Sequence, residues 1–206
     1  GQIPQADFDY VGKAQWLIDS TNAVVSAAGR NEVNKIISIS FGYLYDVHHG
    51  ESATEDGNVV HDKEYEPMLH AEAAVLDGGI DGYVIRAGYI YGGYSMGTTS
   101  ISEMIRNGHS IPSGKHHAAW VHEDDLAQLI VKLVEAESDK DTLAEIINAA
   151  DNHPQTPDAF SQLLGNETGI TGLSYASSGG IMTLIRGETL RDKLLAREIS
   201  LDSTKA

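Results

Sequence analysis

An α/β fold, a parallel sheet with helices on both faces, is predicted by three features of the sequence. Short apolar runs occur at Lys35-Ile-Ile-Ser-Ile-Ser40, around Val84-Ile-Arg-Ala87 and at Glu145-Ile-Ile-Asn-Ala-Ala150. Each is too short for a helix and rich in branched residues, and so reads as a buried strand. Between them lie stretches with helical spacing of apolar residues, and helices alternating with buried strands imply parallel βαβ units. Finally, the run Tyr83-Val-Ile-Arg-Ala-Gly-Tyr-Ile-Tyr-Gly-Gly93 ends in an arginine and a small-residue turn. Ligands of open α/β sheets bind just past such strand ends, so chemistry is expected at Ala87–Gly93.

In chain order, residues 1–8 read as an extended lead-in. From Tyr10 the positions Ala14, Leu17, Ile18, Thr21, Val24, Val25 and Ala28 recur at helical spacing, and Gly29 is a natural stop. The strand at 35–40 opens into Phe41-Gly-Tyr-Leu-Tyr-Asp46. Residues 46–64 have no period and many charges, which marks a long loop of the kind that serves as a lid or binding loop. Its His48, His49 and His61 stand among carboxylates, but none has the helical i, i+4 placement of a metal motif, so no metal site is expected. Pro67 suits a first helical turn, and Leu69, Ala73, Ala74 and Leu76 carry an apolar stripe to Gly78-Gly79.

Beyond the turn, 98–107 reads as a short helix closed by Gly108. Asp124 or Asp125 is expected to cap an amphipathic helix carrying Leu126, Leu129, Ile130, Leu133 and Val134. Pro157–Leu164 reads as a further helix, Gly165–Gly180 as loop, and Ile181–Leu195 again as helix. His122, Asp124 and Asp125 look like an acid/base cluster, yet capping a helix is the simpler role. His116 and His117 are expected to be exposed.

Composition narrows the function. The chain has 206 residues, enough for one main core, and 30 acidic against 14 basic residues give a net charge of -16. That charge repels phosphate backbones and anionic lipid, which disfavours nucleic acid and membrane surfaces as partners. Without cysteine there is no thiolate nucleophile and no thiolate metal site. No apolar run approaches the roughly 20 residues that span a bilayer. A soluble protein of the cytoplasm, or of another reducing compartment, is the expectation.

Four stretches stand out in order: Lys35-Ile-Ile-Ser-Ile-Ser-Phe-Gly-Tyr-Leu-Tyr45, His70-Ala-Glu-Ala-Ala-Val75, Val84-Ile-Arg-Ala-Gly-Tyr-Ile-Tyr-Gly92 and Trp120-Val-His-Glu-Asp-Asp-Leu-Ala127. Together they resemble the extended short-chain dehydrogenase/reductase family, the NAD-dependent epimerases and dehydratases acting largely on nucleotide sugars. The Asn148 strand and Glu198–Lys205 extend the match over nearly the whole chain. The resemblance implies a partial Rossmann-like, doubly wound parallel sheet with a small C-terminal α/β substrate-side region. It implies a single domain over 1–206, with 1–95 and 120–150 as the core and 96–119 and 151–206 on the substrate side. It also implies NAD(P) as cofactor, with Arg86, Ala87, Gly88 and Tyr89 as cofactor-binding candidates. An arginine at a strand end serves equally well as a structural partner of a carboxylate.

The sequence departs from the family's pattern in two ways. No Gly-x-x-Gly-x-x-Gly turn precedes Tyr10, so the pyrophosphate lacks its usual helix N-terminus, and the 206 residues alone are not expected to bind NAD(P). The family's catalytic serine or threonine, tyrosine and lysine align with Phe41, Glu64 and Met68. Ser40 and Tyr65 lie one place away and are the catalytic candidates, but Leu69 would then take the lysine's place. A tyrosine needs a neighbouring cation to act as a base near neutral pH.

Three functions follow as expectations. One is an epimerase/dehydratase-like oxidoreductase acting on a nucleotide sugar or small carbonyl substrate, its cofactor held by residues outside this sequence. Another is a catalytically silent subunit used for binding or assembly, and the third is a cofactor-free isomerase or lyase using Tyr65, Glu64 or His70. The apolar run at 36–39 calls for strand neighbours on both sides, supplied by an N-terminal half, a partner protein or a second copy.

Overall fold

The computed structural model describes residues 10–48, 50–137, 144–176 and 197–206. The lead-in at 1–8 and the helix expected at 181–195 lie outside the described residues, as does His49. Three strands form the central sheet: β1 (Lys35–Phe41), β2 (Asp81–Ala87) and β6 (Ala144–Ala149), all parallel and in the order β1-β2-β6. Parallel pairing needs long crossovers, and here they contain α2 (Glu66–Leu76) and α4 (Glu123–Glu135). The chain is thus an α/β protein with a Rossmann-like parallel sheet.

The pleat sends alternate residues to opposite faces. On one face Tyr83, Ile85 and Ala87 of β2 join Ile147 and Ala149 of β6, and Leu126, Leu129 and Leu133 of α4 close over them. That stripe follows helical spacing as the sequence predicts, except that Val134 turns to solvent. Lys35 ties the first strand to the end of this helix, its Nζ donating to Leu133 O at 2.8 Å and Ala136 O at 2.6 Å. Those carbonyls have no partner within the helix, and a cation there also complements the helix dipole.

The other face carries α2, on which α1 (Tyr10–Arg30) packs. Along α1 the expected stripe holds at Ala28, but Val24 is exposed; the helix buries a narrower face than its apolar positions suggest. Among the described residues β1 pairs only with β2, and Ile39 and Phe41 on this edge strand remain 48% and 40% exposed.

Two small parallel pairs lie beyond the main sheet: β3 (Tyr89–Tyr91) with β5 (Trp120–His122), and β4 (Ile111–Pro112) with β7 (Tyr175–Ala176). Beside them lie α3 (Met96–Arg106) and α5 (Pro157–Glu167), and α5 meets β3 and β5 through aromatic rings. Trp120 stacks on Phe160 with ring centroids 4.3 Å apart, while Tyr91 meets Phe160 edge-on at 5.7 Å. Such two- and three-residue strands give no period to read, and they were missed in the sequence.

Residues 50–60 are a strap rather than a free loop. Val59 bridges Tyr45, and Ala53 bridges Leu201 of the closing segment 197–206. Tyr45, Ala53, Ala119, Ile199 and Leu201 form a second buried cluster there.

Candidate functional site

Ser40, Arg86 and Asn148 stand in one row across β1, β2 and β6, near the carboxyl ends of the strands. All three are buried, and their side chains share the face covered by α2. That helix is rich in alanine, and it carries one buried carboxylate, Glu72, over the row. Arg86 meets it as a fork: Nε donates to Oε1 at 3.0 Å and Nη2 to Oε2 at 2.6 Å. The same Oε1 accepts the Ser40 hydroxyl at 2.5 Å. Bidentate geometry with a third donor is what a buried ion pair needs to offset its desolvation.

The network continues through Tyr45. The Arg86 guanidinium lies over its ring, 4.5 Å from the centroid, and its hydroxyl donates to Asn148 Oδ1 at 2.8 Å. Burial pushes the Tyr45 phenol above its ordinary pKa, despite the opposing pull of Arg86. Burial also works against the charge of Arg86, but hydrogen bonding and attraction from Glu72 outweigh it and raise the pKa. Asn148 Nδ2 donates to Ala53 O at 3.0 Å and Asp202 O at 3.1 Å, and its backbone N–H reaches Glu55 Oε1 at 3.0 Å. Ser40, Arg86 and Asn148 are thus all engaged by groups of the chain itself.

The turn expected to hold the chemistry is equally committed. Gly88 N donates to Ala149 O at 2.9 Å and Tyr89 N to Ala119 O at 2.8 Å, so neither amide is left for a phosphate. At Gly88 an added Cβ would sit 2.6 Å from Ala119 O, which is why the position is glycine. Gly92 has φ +145, and a Cβ there would strike the Glu123 side chain, whose carboxylate accepts Tyr94 N at 2.9 Å. Ala87 faces the α4 core, and Tyr89 packs on Trp120 with ring centroids 5.3 Å apart.

Tyr65 caps the start of α2 and is 1% exposed. Its ring lies 6.2 Å from that of Tyr43 and 5.7 Å from the Arg197 guanidinium carbon, and its hydroxyl has no hydrogen-bond partner. Phe41 stacks on Tyr43 with ring centroids 4.9 Å apart. The structure therefore engages Ser40 with Glu72 and sets Tyr65 apart in an aromatic layer. Arg197 is itself engaged, donating to Tyr43 O at 3.0 Å and Tyr45 O at 2.5 Å.

One sequence expectation is corrected at the next helix. The cap of α4 is His122, whose Nδ1 accepts Asp124 N at 3.2 Å, and the helix begins at Glu123. Capping by Asp124 or Asp125 is ruled out because both already lie within the first turn, where their charges suit the helix dipole. His48, His61, His116 and His117 are exposed, and no group of three His, Asp or Glu suited to a metal occurs among the described residues. No helix among them is long and apolar enough to cross a membrane.

Comparison with solved structures places this arrangement. A UDP-glucose 4-epimerase from Thermotoga maritima superposes on the whole chain with a TM-score of 0.75 at 18% identity, the chain covering 68% of it. The two chains share one fold. The Bordetella bronchiseptica enzyme WbmG in complex with NAD gives 0.72 at 12% identity, and DesIV, a dTDP-glucose 4,6-dehydratase from Streptomyces venezuelae with NAD bound, gives 0.72 at 16%. All of this chain aligns with each, but it spans only 62% of their length. No family model matches the sequence, and no curated protein matches it at a significant level.

The geometry also tests whether a dinucleotide fits. A pyrophosphate needs free backbone N–H groups at a helix N-terminus or an unpaired cation. Arg86 is held by Glu72, the amides of Gly88 and Tyr89 are used, and the first turn of α4 holds three carboxylates. These residues do not fit the phosphates of the cofactor.

Two members of the buried network, Glu72 and Asn148, escaped the sequence reading as site residues. The available signal was a lone acid among alanines in 70–75 and a lone arginine in an apolar strand: two isolated charges in apolar contexts tend to pair.

Proposed function

We propose that this chain is part of an NAD(P)-dependent epimerase/dehydratase-like protein for a nucleotide sugar or small carbonyl substrate, in which the usual serine, tyrosine and lysine machinery is lost. Phe41, Glu64 and Met68 occupy the aligned positions and cannot carry out the proton transfer. The fold shared with NAD-bound enzymes supports the first half of the proposal. Cofactor binding is assigned to residues outside these 206, because the candidates Arg86, Gly88 and Tyr89 are already committed to the chain's own structure. The exposed edge of β1, with Ile39 and Phe41, is where an N-terminal half, a partner protein or a second copy would complete the sheet.

A second reading, a catalytically silent subunit that binds or assembles, is favoured by one observation. The Ser40 hydroxyl already serves the Glu72–Arg86 pair, and the Tyr65 hydroxyl is sealed without a partner. A general base must reach the proton it abstracts within about 3 Å or through one water.

Calorimetric titration separates the readings. NAD(H) and NADP(H) are titrated into the 206-residue chain and into the longest polypeptide its gene encodes. No micromolar binding to the 206 residues is expected. Binding to the longer polypeptide supports the oxidoreductase-like reading, whereas no binding there supports the silent subunit. Micromolar binding to the 206 residues overturns the assignment of the cofactor site.

A further inference from the structure

We infer that the strap, residues 50–60, and the closing segment, residues 197–206, open as one unit latched by Asn148, and that this unit covers the Tyr45–Arg86 end of the sheet. The two segments are joined where residues 52–53 meet residues 200–202. Ala53 N donates to Ser200 O at 2.9 Å, Asp202 N returns a bond to Ala53 O at 2.9 Å, and the hydroxyls of Ser52 and Ser200 meet at 2.8 Å. Their apolar side chains enter the same cluster, with Ala53, Ile199 and Leu201 packed around Tyr45.

Asn148 binds both segments at once. Its two Nδ2 hydrogens go to Ala53 O in the strap and Asp202 O in the closing segment, while its backbone N–H goes to Glu55. The residue is fully buried, so releasing either carbonyl leaves an N–H unpaired away from water. An unmade buried hydrogen bond costs more than a made one gains, which penalises release of one segment alone and favours release of both. Segments held by polar contacts over a small apolar cluster open more readily than a core sheet. Opening removes the roof of Tyr45, the ring that lies over Arg86.

Hydrogen exchange by mass spectrometry on the full 206-residue chain tests the coupling. Asn148→Asp keeps the shape but turns both donors into acceptors facing carbonyls. It is expected to speed exchange by about tenfold in the peptides covering both 50–60 and 197–206, with β2 amides unchanged. Leu201→Ala lies in the closing segment only, yet it is expected to speed 50–60 as well. Leu201→Val carries the same comparison if the alanine lowers global stability. Faster exchange confined to 197–206 in the Leu201 variants overturns the proposal. So does an unchanged strap in Asn148→Asp, or a uniform rise that includes β2, since then no separate unit exists.

Discussion

The two faces of the central sheet are made by the same three strands yet are held together differently. Toward α4 the fully buried cluster is apolar: Tyr83, Ile85, Ala87, Ile147 and Ala149 meet three leucines. Toward α2, the row nearest the carboxyl ends is polar, with Ser40, Arg86 and Asn148 meeting Glu72. An apolar face tolerates the loss of a contact in proportion to the volume removed. A buried polar face does not, because each group left behind keeps its full desolvation penalty. The polar face also stands where α/β sheets bind ligands, and here it is filled by the chain's own side chains.

The sharpest way to break this contrast is Glu72→Ala, which strands Arg86 in the interior. It should destabilise the chain by about 3–5 kcal/mol in urea denaturation, and the double replacement Glu72→Met with Arg86→Met should cost less than the single change. A loss under about 1 kcal/mol for Glu72→Ala would mean that water reaches the pair. On the apolar face, Leu129→Ala should cost about 3 kcal/mol through lost burial and a residual cavity, with no dependence on salt or pH.

Tyr45→Phe is smaller, about 1–2 kcal/mol, since it unpairs Asn148 Oδ1 and removes the hydroxyl's interaction with Arg86 while both keep other partners. It has a distinctive pH signature. The folded pKa of Tyr45 is raised, chiefly by burial, so its contribution is complete below the unfolded value of about 10 and falls as pH rises through the folded value. Wild type should therefore lose stability above about pH 10 by up to roughly 1.4 kcal/mol per pH unit from this group, and Tyr45→Phe should lose less. Equal alkaline slopes in the two proteins would place the effect elsewhere.

Much of the fold was legible because period and length speak clearly in long elements. The three central strands and α2, α4 and α5 stand where the apolar runs and the stops at Gly and Pro place them. The site was less legible, and the reason is geometric. Ser40, Glu72, Arg86 and Asn148 are far apart in sequence, and only the register of β1, β2 and β6 brings them into one row. Arg86 was singled out for its place at a strand end, but nothing local to 83–93 tells whether it faces a ligand or a carboxylate of the chain. The cap at His122 was missed because aspartates follow it immediately and are the commoner caps.

The smallest expected effect is also the most direct test of the central claim, that the acid/base machinery is lost. Tyr65→Phe removes a buried hydroxyl that has no partner, so it should not lower stability, and relief of the desolvation penalty should raise it by about 1 kcal/mol. Turnover of wild type and Tyr65→Phe is compared in the longest polypeptide the gene encodes, over nucleotide-sugar and small carbonyl substrates. Any measurable activity should survive nearly intact. A loss of about a hundredfold or more with the fold unchanged, the scale a general acid/base contributes, would show that Tyr65 is a working catalytic group and contradict the account.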